Sequence, residues 1–368
     1  MVFQIAGNES LGNPLAFLIF YLPIILFFLY GQKFQLWMML NDISRALGKL
    51  KVMRDKGRKE VIDYISVMKP TFDPAERVDQ FLEYFTIMPV DLDPAGIIKK
   101  LEHILLVRDE RMRSEVKNLV PSADKVKTTV IENLLEVAGA LNVIYKIVRH
   151  FYLLGKKTSS YVVIMQIQFL MPLILQEAEA LVKALDSLKN SHPIGDGIGP
   201  LIVGRMMLNS EKRVIAKDTI LSEIDHLGRK VYLIKAEGPG GMVGQIGTAL
   251  EKLVSEMGIR FDAIIMIDAA LKLEGEKSGE VAEGVGAAIG GIGVDRFKIE
   301  EVATRFNIPL FAIVIKQSIV EAISTMRREI AEASEKVRKI IDKMILEKTK
   351  EGSNVIVVGV GNTLGIAQ

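Results

Sequence analysis

The sequence contains no cysteine and only four histidines. The absence of cysteine excludes disulfide bonds and thiolate metal sites, and no two of the histidines have the spacing of metal ligands. An excess of charge of one sign is lacking too, since 47 basic residues stand against 45 acidic ones. This balance gives no overall reason to expect a nucleic-acid partner, and we expect none. The 368 residues are enough for two domains with cores of their own.

Near the N-terminus, the 23 residues between Glu9 and Lys33 include no charged residue. At about 1.5 Å per residue, this stretch crosses roughly 30 Å of hydrocarbon. It predicts one transmembrane helix within residues 14–36, with Tyr30 and Trp37 as interfacial anchors. A cleaved signal peptide is the alternative, but no basic residue precedes the apolar run and no small-residue cleavage pattern follows it.

The segment after the apolar run is basic. Eight lysines and arginines lie between Lys33 and Lys59, against only Asp42 and Asp55. Basic residues stay on the cytoplasmic side of a membrane helix. We therefore expect a single-pass protein of the cell membrane whose later domains are cytoplasmic and whose partner is the lipid bilayer.

Residues 41–190 have the apolar spacing and punctuation of helices. Asp73 and Asp93 each precede a proline, which is typical of a helix that begins with an N-cap and proline at its first position. The apolar run 161–175 is short for a membrane span and is interrupted by two glutamines. It predicts a buried helix of an all-α middle domain.

The pattern changes near residue 191, where continuous apolar runs begin to alternate with helical segments. The runs that predict buried strands are 230–236, 262–268, 309–316 and 354–360. Helices are predicted at 246–257, 298–306 and 318–351. This alternation indicates a parallel-sheet α/β/α sandwich. The chain is thus predicted to consist of a membrane anchor (1–40), a helical domain (41–190) and an α/β domain (191–368).

The last predicted helix carries apolar residues at alternating spacings of four and three over residues 319–344. Such a heptad seam is typical of helix pairing. Two partners fit it equally, a second copy of the chain (or another protein) and the helical middle domain.

Glycine and acidic residues gather where the predicted strands end. Residues 195–200 form an acidic glycine-rich loop that leads into a helix, and the apolar strand near the C-terminus ends in Gly359-Val360-Gly361-Asn362. Sites in parallel sheets lie at the carboxyl ends of strands, so we predict that these two pieces meet. The predicted ligand-binding residues are Asp196, Gly197, Gly240, Gly241, Asp268, Lys316, Gln317 and Asn362.

Three features of these glycines and acids leave more than one interpretation. The segment Gly238–Gly241 suits either an anion cradle or a structural turn. The glycines between 284 and 293 suit either a lid or closely packed backbone. Asp196 and Asp268 could each cap a local turn instead of forming a site. A dinucleotide fingerprint at Gly359 is excluded, since the chain ends before a helix could follow.

Two resemblances bear on these residues. Over its whole length the chain resembles an archaeal family of membrane-anchored proteins of unknown function. Residues 195–200, Asp268-Ala269 and 358–362 resemble the motifs of hydrogenase maturation endopeptidases, in a circularly permuted order. In that family, an acidic loop residue, a strand-end Asp and a later His bind nickel, and the first two match Asp196 and Asp268. The third position falls at Lys316-Gln317-Ser318, where no histidine stands.

The resemblance leaves the cofactor open between a divalent metal at Asp196 and Asp268 and none. A lysine at position 316 would instead neutralise the two carboxylates by pairing with them. Our principal hypothesis is a membrane-held α/β domain that binds a small ligand or a protein partner. The alternative is a membrane-bound, peptidase-like hydrolase that uses Asp196 and Asp268.

Overall fold

The computed structural model describes residues 14–89, 96–256, 258–291 and 293–367. The chain forms two compact units. The first contains the chain up to Val52 together with Val143–Leu175, and the second contains Met53–Asn142 together with Gln176–Gln368. The N-terminal half is helical and the C-terminal half contains a mixed sheet.

Five helices make up the described N-terminal half: α1 (Pro14–Ser66), α2 (Pro74–Leu82), α3 (Ile97–Leu119), α4 (Lys125–Thr158) and α5 (Tyr161–Lys189). At α2, Asp73 accepts a hydrogen bond from the Ala75 N–H and proline occupies the first turn, as predicted. The matching prediction at Asp93 lies outside the described residues. The core of this region within the second unit includes Val61, Val116 and Leu134.

The predicted anchor forms the first part of α1, which continues without interruption through Pro23. Most side chains between Pro14 and Leu29 lie outside the described part of the structure. Those that are described between Ile19 and Met38 include a series of exposed apolar residues. Met39 is the first buried side chain among the described residues of α1.

The prediction that residues 161–175 are buried is wrong. Phe169 is 81% exposed and Leu173 is 62% exposed. Among the described residues, α5 is the one helix that is long and apolar enough to cross a membrane. Only 22% of its most apolar 18-residue stretch is buried. An apolar helical run cannot show from its sequence whether protein or another apolar medium will cover it.

Within its described residues, the C-terminal half has a sheet of seven strands: β1 (Lys212–Ala216), β2 (Thr219–His226), β3 (Arg229–Ala236), β4 (Ala263–Leu271), β5 (Val281–Val285), β6 (Leu310–Gln317) and β7 (Asn354–Gly359). Their order is β1-β2-β3-β7-β4-β6-β5. The four predicted strands, β3, β7, β4 and β6, are parallel. The prediction of a purely parallel sheet is wrong, because β1, β2 and β5 add antiparallel pairs towards both edges.

Helices cover both faces of this sheet: α6 (Ile198–Met206), α7 (Ile246–Glu256), α8 (Val294–Arg305), α9 (Ile319–Ile323) and α10 (Arg328–Lys348). Residues of α6 and α10 share one core with alternate side chains of the central strands, such as Leu233 and Val357. Residues of α7 and α8 share the second core with the other set, such as Ile234 and Val358. The predicted α/β/α sandwich is therefore present.

The continuous helix predicted over residues 318–351 is broken. Ser318 caps the short helix α9 through a capping box with Glu321, and an extended segment separates α9 from α10. Ile330, Val337 and Met344 of the heptad pattern are buried in the core beside the sheet. These side chains therefore pack in the domain's own core. An amphipathic helix on a sheet buries the same kind of apolar stripe as a helix in a pair, so the sequence pattern did not distinguish the two arrangements.

Candidate functional site

The acidic loop and the last strand meet, as the sequence predicts. Residues Gly195–Gly197 form a 3₁₀ turn that leads directly into α6. The carboxylate Oδ2 of Asp196 accepts a hydrogen bond of 2.8 Å from the backbone N–H of Asn362, 166 residues away in sequence. Gly197, and not Asp196, occupies the N-cap position of α6, and the Asp196 carboxylate bonds across the fold to Asn362.

Close backbone packing holds this turn against the end of β7. A Cβ atom at Gly199 would lie 2.5 Å from the Ile267 carbonyl oxygen and would overlap that of Val360. Gly361 has φ +129°, and a Cβ atom there would overlap the Asp196 carbonyl oxygen. Only glycine allows both this approach and this backbone conformation. The glycines of the two motifs therefore serve to bring Asp196 to the carboxyl edge of the sheet.

Asp268 reaches the same pocket from the neighbouring strand. It stands within β4, which runs three residues further than predicted, to Leu271, and it is only 8% exposed. Its Oδ1 accepts a hydrogen bond of 2.7 Å from the backbone N–H of Ala269, and the backbone of Gly290 makes a further bond. The strand and the glycine-rich segment thus fix one carboxyl group beside another.

The two carboxyl groups influence each other's protonation. Burial raises the pKa of Asp268, the charge of Asp196 raises it further, and together they bring it to about 8. Burial also raises the pKa of Asp196, although the Asn362 N–H opposes the rise. Neighbouring carboxyls of this kind titrate as a pair. At neutral pH the pair therefore retains a proton, which makes it both an acid and a base.

A cavity of about 440 Å³ surrounds the pair. Its wall includes α3 through Arg108 and Asp109, and the start of α8 through Asp295. Asp295 Oδ1 accepts a hydrogen bond of 2.8 Å from the Gly247 N–H, and burial raises its pKa. Sequence reasoning missed these three residues. The only signal that pointed towards one of them was the glycine-rich stretch that precedes Asp295.

Gly290 and Gly291 belong to that stretch and line the cavity. A Cβ atom at either position would meet nothing within 4 Å. These two glycines therefore leave open space beside Asp268, unlike Gly199 and Gly361. Of the two interpretations left open for this segment, close packing does not apply to its pocket-lining part.

Other predicted site residues lie elsewhere. The Lys316 ammonium pairs with Glu276 and lies 3.8 Å from Glu280, so the predicted neutralisation of the Asp pair by Lys316 is wrong. Gln317 is buried against Gly195, and neither polar atom of its side chain has a hydrogen-bond partner among the described residues. Side chains alternate along a strand, which places neighbours such as Lys316 and Gln317 in different surroundings.

The Gly240-Gly241 turn is linked to the site through Asn362. The carbonyl oxygen of Gly241 accepts bonds of 3.1 Å from the side-chain amides of Asn133 and Asn362. A Cβ atom at Gly240 would lie 3.4 Å from Val126 of α4. This turn therefore joins α4 to the C-terminal motif.

The donor set does not fit the metal that the resemblance implies. Among the residues that the structure describes, no group of three or more His, Cys, Asp or Glu side chains is placed to hold a metal ion. Lys316 and Gln317, at the third position, do not line the cavity. Structural and catalytic sites normally supply at least three protein ligands. We derive no chemistry through a metal at Asp196 and Asp268.

The protein therefore belongs to a mixed class, with a helical N-terminal half and a C-terminal α/β/α sandwich. Two interacting carboxyl groups, Asp196 and Asp268, lie at the carboxyl edge of the sandwich's sheet. A family model described as "Protein of unknown function (DUF1512) N-terminal domain" matches residues 17–191. A second, "Domain of unknown function (DUF1512) C-terminal", matches residues 194–367. The chain belongs to the DUF1512 family. No curated protein and no solved structure matches it.

Proposed function

We propose that the protein is a membrane-anchored receptor whose C-terminal domain binds an amide-containing small ligand or peptide segment at Asp196 and Asp268. The observation that carries this proposal is that the part-buried Asp196 and the buried Asp268 line one cavity, where burial raises the pKa of both carboxyls. Buried titratable groups with perturbed pKa values in a cleft are candidates for a functional site.

The chemistry of the pair suits an amide. A protonated Asp268 donates a hydrogen bond to a carbonyl oxygen, and the Asp196 carboxylate accepts one from an N–H. Gly290 and Gly291 leave room for a ligand's backbone to approach the wall of the cavity. Arg108, which lies 3.0 Å from Asp109 and 3.7 Å from Glu136, adds a positive charge at the wall.

Capped dipeptides of different side chains, added to the full-length protein in detergent, test this binding. We expect at least one to raise the melting temperature in proportion to its concentration, because a ligand bound only by the folded state stabilises it. Asp196→Asn and Asp268→Asn should abolish the shift, whereas the exposed Asp225→Asn should retain it. Equal shifts in all three variants, or no shift with any dipeptide, would overturn the proposal.

A second candidate is hydrolysis of an amide bond, which is favoured by the charge of Asp196 raising the pKa of Asp268 and so holding the proton on Asp268. Pairs of carboxyls with pKa values pushed apart can divide acid and base roles. The Asp196 carboxylate would take a proton from water as the water oxygen forms a bond to the carbonyl carbon. Asp268 would give its proton to the leaving nitrogen as the carbon–nitrogen bond breaks. A carboxylic acid and an amine result, and a proton passing from Asp196 to Asp268 restores the pair.

A fluorogenic peptide library distinguishes this activity from binding alone. Hydrolysis should disappear in both Asp196→Asn and Asp268→Asn and should decline as the pH rises through about 8, where Asp268 loses its proton. Cleavage that survives both substitutions belongs to a contaminant. Peptide binding without cleavage would support the receptor alone.

The anchor and its orientation are part of the proposal. The exposed apolar side chains of α1 before Met39 and the basic segment that follows support it. Since the chain has no cysteine, Glu347→Cys provides a single site for a membrane-impermeant maleimide. We expect labelling only after the membrane is permeabilised. Labelling in intact cells would place the C-terminal domain outside.

A further inference from the structure

The segment Val143–Leu175, which we call the apolar hairpin, consists of the end of α4, a short turn and the start of α5. Most of its exposed apolar side chains form two stripes at helical spacing, and Leu153 and Leu170 beside them are exposed too. The α4 stripe is Val143, Ile147, Phe151 and Leu154, and the α5 stripe is Val162, Met165, Phe169 and Leu173. Spacings of three and four place the members of each stripe on one face of its helix.

The stripes are separate from the faces that pack within the first unit. The buried residues of α5 here are Ile164, Ile167 and Met171, which at about 100° per residue lie opposite the Phe169 stripe. Close packing also occurs at the turn, where a Cβ atom at Gly155 would overlap the Ile164 side chain. The hairpin thus has a covered side and an apolar side that the described chain leaves open.

The charges of the hairpin have one sign. No Asp or Glu occurs between Glu136 and Glu177, whereas Lys146, Arg149, Lys156 and Lys157 lie in this interval. A second copy of the chain would bring like charges together on the same apolar surface. Anionic lipid headgroups over acyl chains match both properties of the hairpin, its cations and its apolar stripes.

We propose that the apolar hairpin lies in the interface of an anionic bilayer and forms a second membrane contact besides residues 14–36. The stripes enter the boundary between headgroups and acyl chains, and the lysines and arginine reach the phosphates along their flexible stems. Insertion of both helices across the bilayer is disfavoured, because Lys146 and Arg149 of α4 would then lie within the hydrocarbon, where charged side chains are costly. The surface is independent of the Asp196–Asp268 cavity.

The cysteine-free sequence allows a direct test. Phe169→Cys and Val162→Cys, each carrying a fluorophore, are compared with the exposed Glu347→Cys in full-length protein reconstituted into vesicles with or without phosphatidylserine. With phosphatidylserine present, we expect both hairpin labels to be quenched by headgroup-labelled nitroxide lipid and to be shielded from iodide. The label at residue 347 should show the reverse.

Charge reversal supplies the matched control. Lys156→Glu with Lys157→Glu should weaken the lipid contact roughly fivefold for each lysine. Lys339→Glu with Lys343→Glu, an equal change on α10, should leave it intact.

Hairpin labels that are as accessible to iodide as residue 347 would overturn the proposal. Quenching only by lipids labelled at the acyl-chain end would overturn it in favour of a span, and self-quenching between copies would do so in favour of a dimer. Washing the membranes with alkali tests the anchor separately, because a variant that stays in the washed membrane is still held by residues 14–36.

Discussion

Two apolar segments of this protein, 355–360 and 161–175, were both predicted to be buried, and they occupy opposite environments. Every residue from Val355 to Val360 is buried, at the centre of the sheet between β3 and β4. In the other segment, large side chains such as Phe169 and Leu173 are exposed. A strand that is apolar on both faces needs cover on both faces, and two helical layers provide it. An apolar helix needs only a stripe of cover, so composition alone leaves its remaining faces undecided.

The largest expected effect comes from removing the central strand. Truncation after Gly352 deletes β7 and the Asn362 contacts, and we expect residues 191–352 to lose their fold. Loss of the sheet's circular dichroism signal and rapid tryptic cleavage of this region would show it. Retained protease resistance would mean that β7 is not required, and the contrast with residues 161–175 would collapse.

A point substitution tests the same strand without shortening the chain. Val357→Asp would bury an unpaired carboxylate and should cost more than about 4 kcal/mol of unfolding free energy. Val214→Asp on the exposed edge strand β1 is the matched control. Its cost should stay near the surface range of about 0.5 kcal/mol. Denaturant titrations of the two variants provide the measurement.

The pH dependence of Asp268 comes next in size. Its pKa rises from 3.8 to about 8 on folding, so the folded state holds an extra proton between these values. Stability from this proton is fully present below pH 4 and is lost as the pH rises through 8. The unfolding free energy of the wild type, minus that of Asp268→Asn, should therefore fall by up to about 1.4 kcal/mol per pH unit in this window. A difference independent of pH would show that Asp268 is ionised in the folded protein.

Glycine-to-alanine substitutions should have opposite signs in the two halves of the chain. Gly199→Ala forces a methyl group against two carbonyl oxygens and should destabilise by about 1–3 kcal/mol. Gly139 lies inside α4 with nothing within 4 Å of its Cβ position, so Gly139→Ala should stabilise by about 0.5–1 kcal/mol. Thermal unfolding of both variants checks the signs. A neutral Gly199→Ala would contradict the close packing at the site.

The smallest effect is expected at the exposed stripe. In detergent, Phe169→Ser should change the unfolding free energy by no more than about 0.5 kcal/mol, because this side chain is exposed. Ile164→Ser, on the buried face of the same helix, should cost several times more. Equal losses of unfolding free energy in the two variants would mean that both faces of α5 are buried. That result would support the sequence-based prediction of a buried helix.

Local patterns in the sequence determined much of the α/β half. The four central strands follow from continuous apolar runs, and the meeting of Asp196 with Asn362 follows from strand ends in a parallel sheet. The three strands that pair antiparallel, β1, β2 and β5, were missed. β1 and β5 are only five residues long and mostly exposed or half-buried. β2 has eight residues, but it carries Ser222, Glu223, Asp225 and His226 among its apolar ones, so it too lacks the uniform apolar pattern that marks a central parallel strand.

The candidate site, too, was predictable from the sequence only in part. Motif residues predicted Asp196, Asp268 and Asn362, because glycine and acid at strand ends have a local signature. Arg108 and Asp109 were not predictable, since they come from α3 and only long-range packing brings a helix to the cavity.

The sequence by itself determined which segments are helices and central strands, and that two glycine motifs far apart in the chain adjoin. Only the tertiary structure decided that Lys316 pairs with Glu276, that the predicted last helix breaks before Arg328, and that the apolar hairpin stays exposed. Secondary structure depends on periodicity, which is written in neighbouring residues. The partner of a charge and the cover of an apolar face depend on residues distant in sequence, and no local pattern records them.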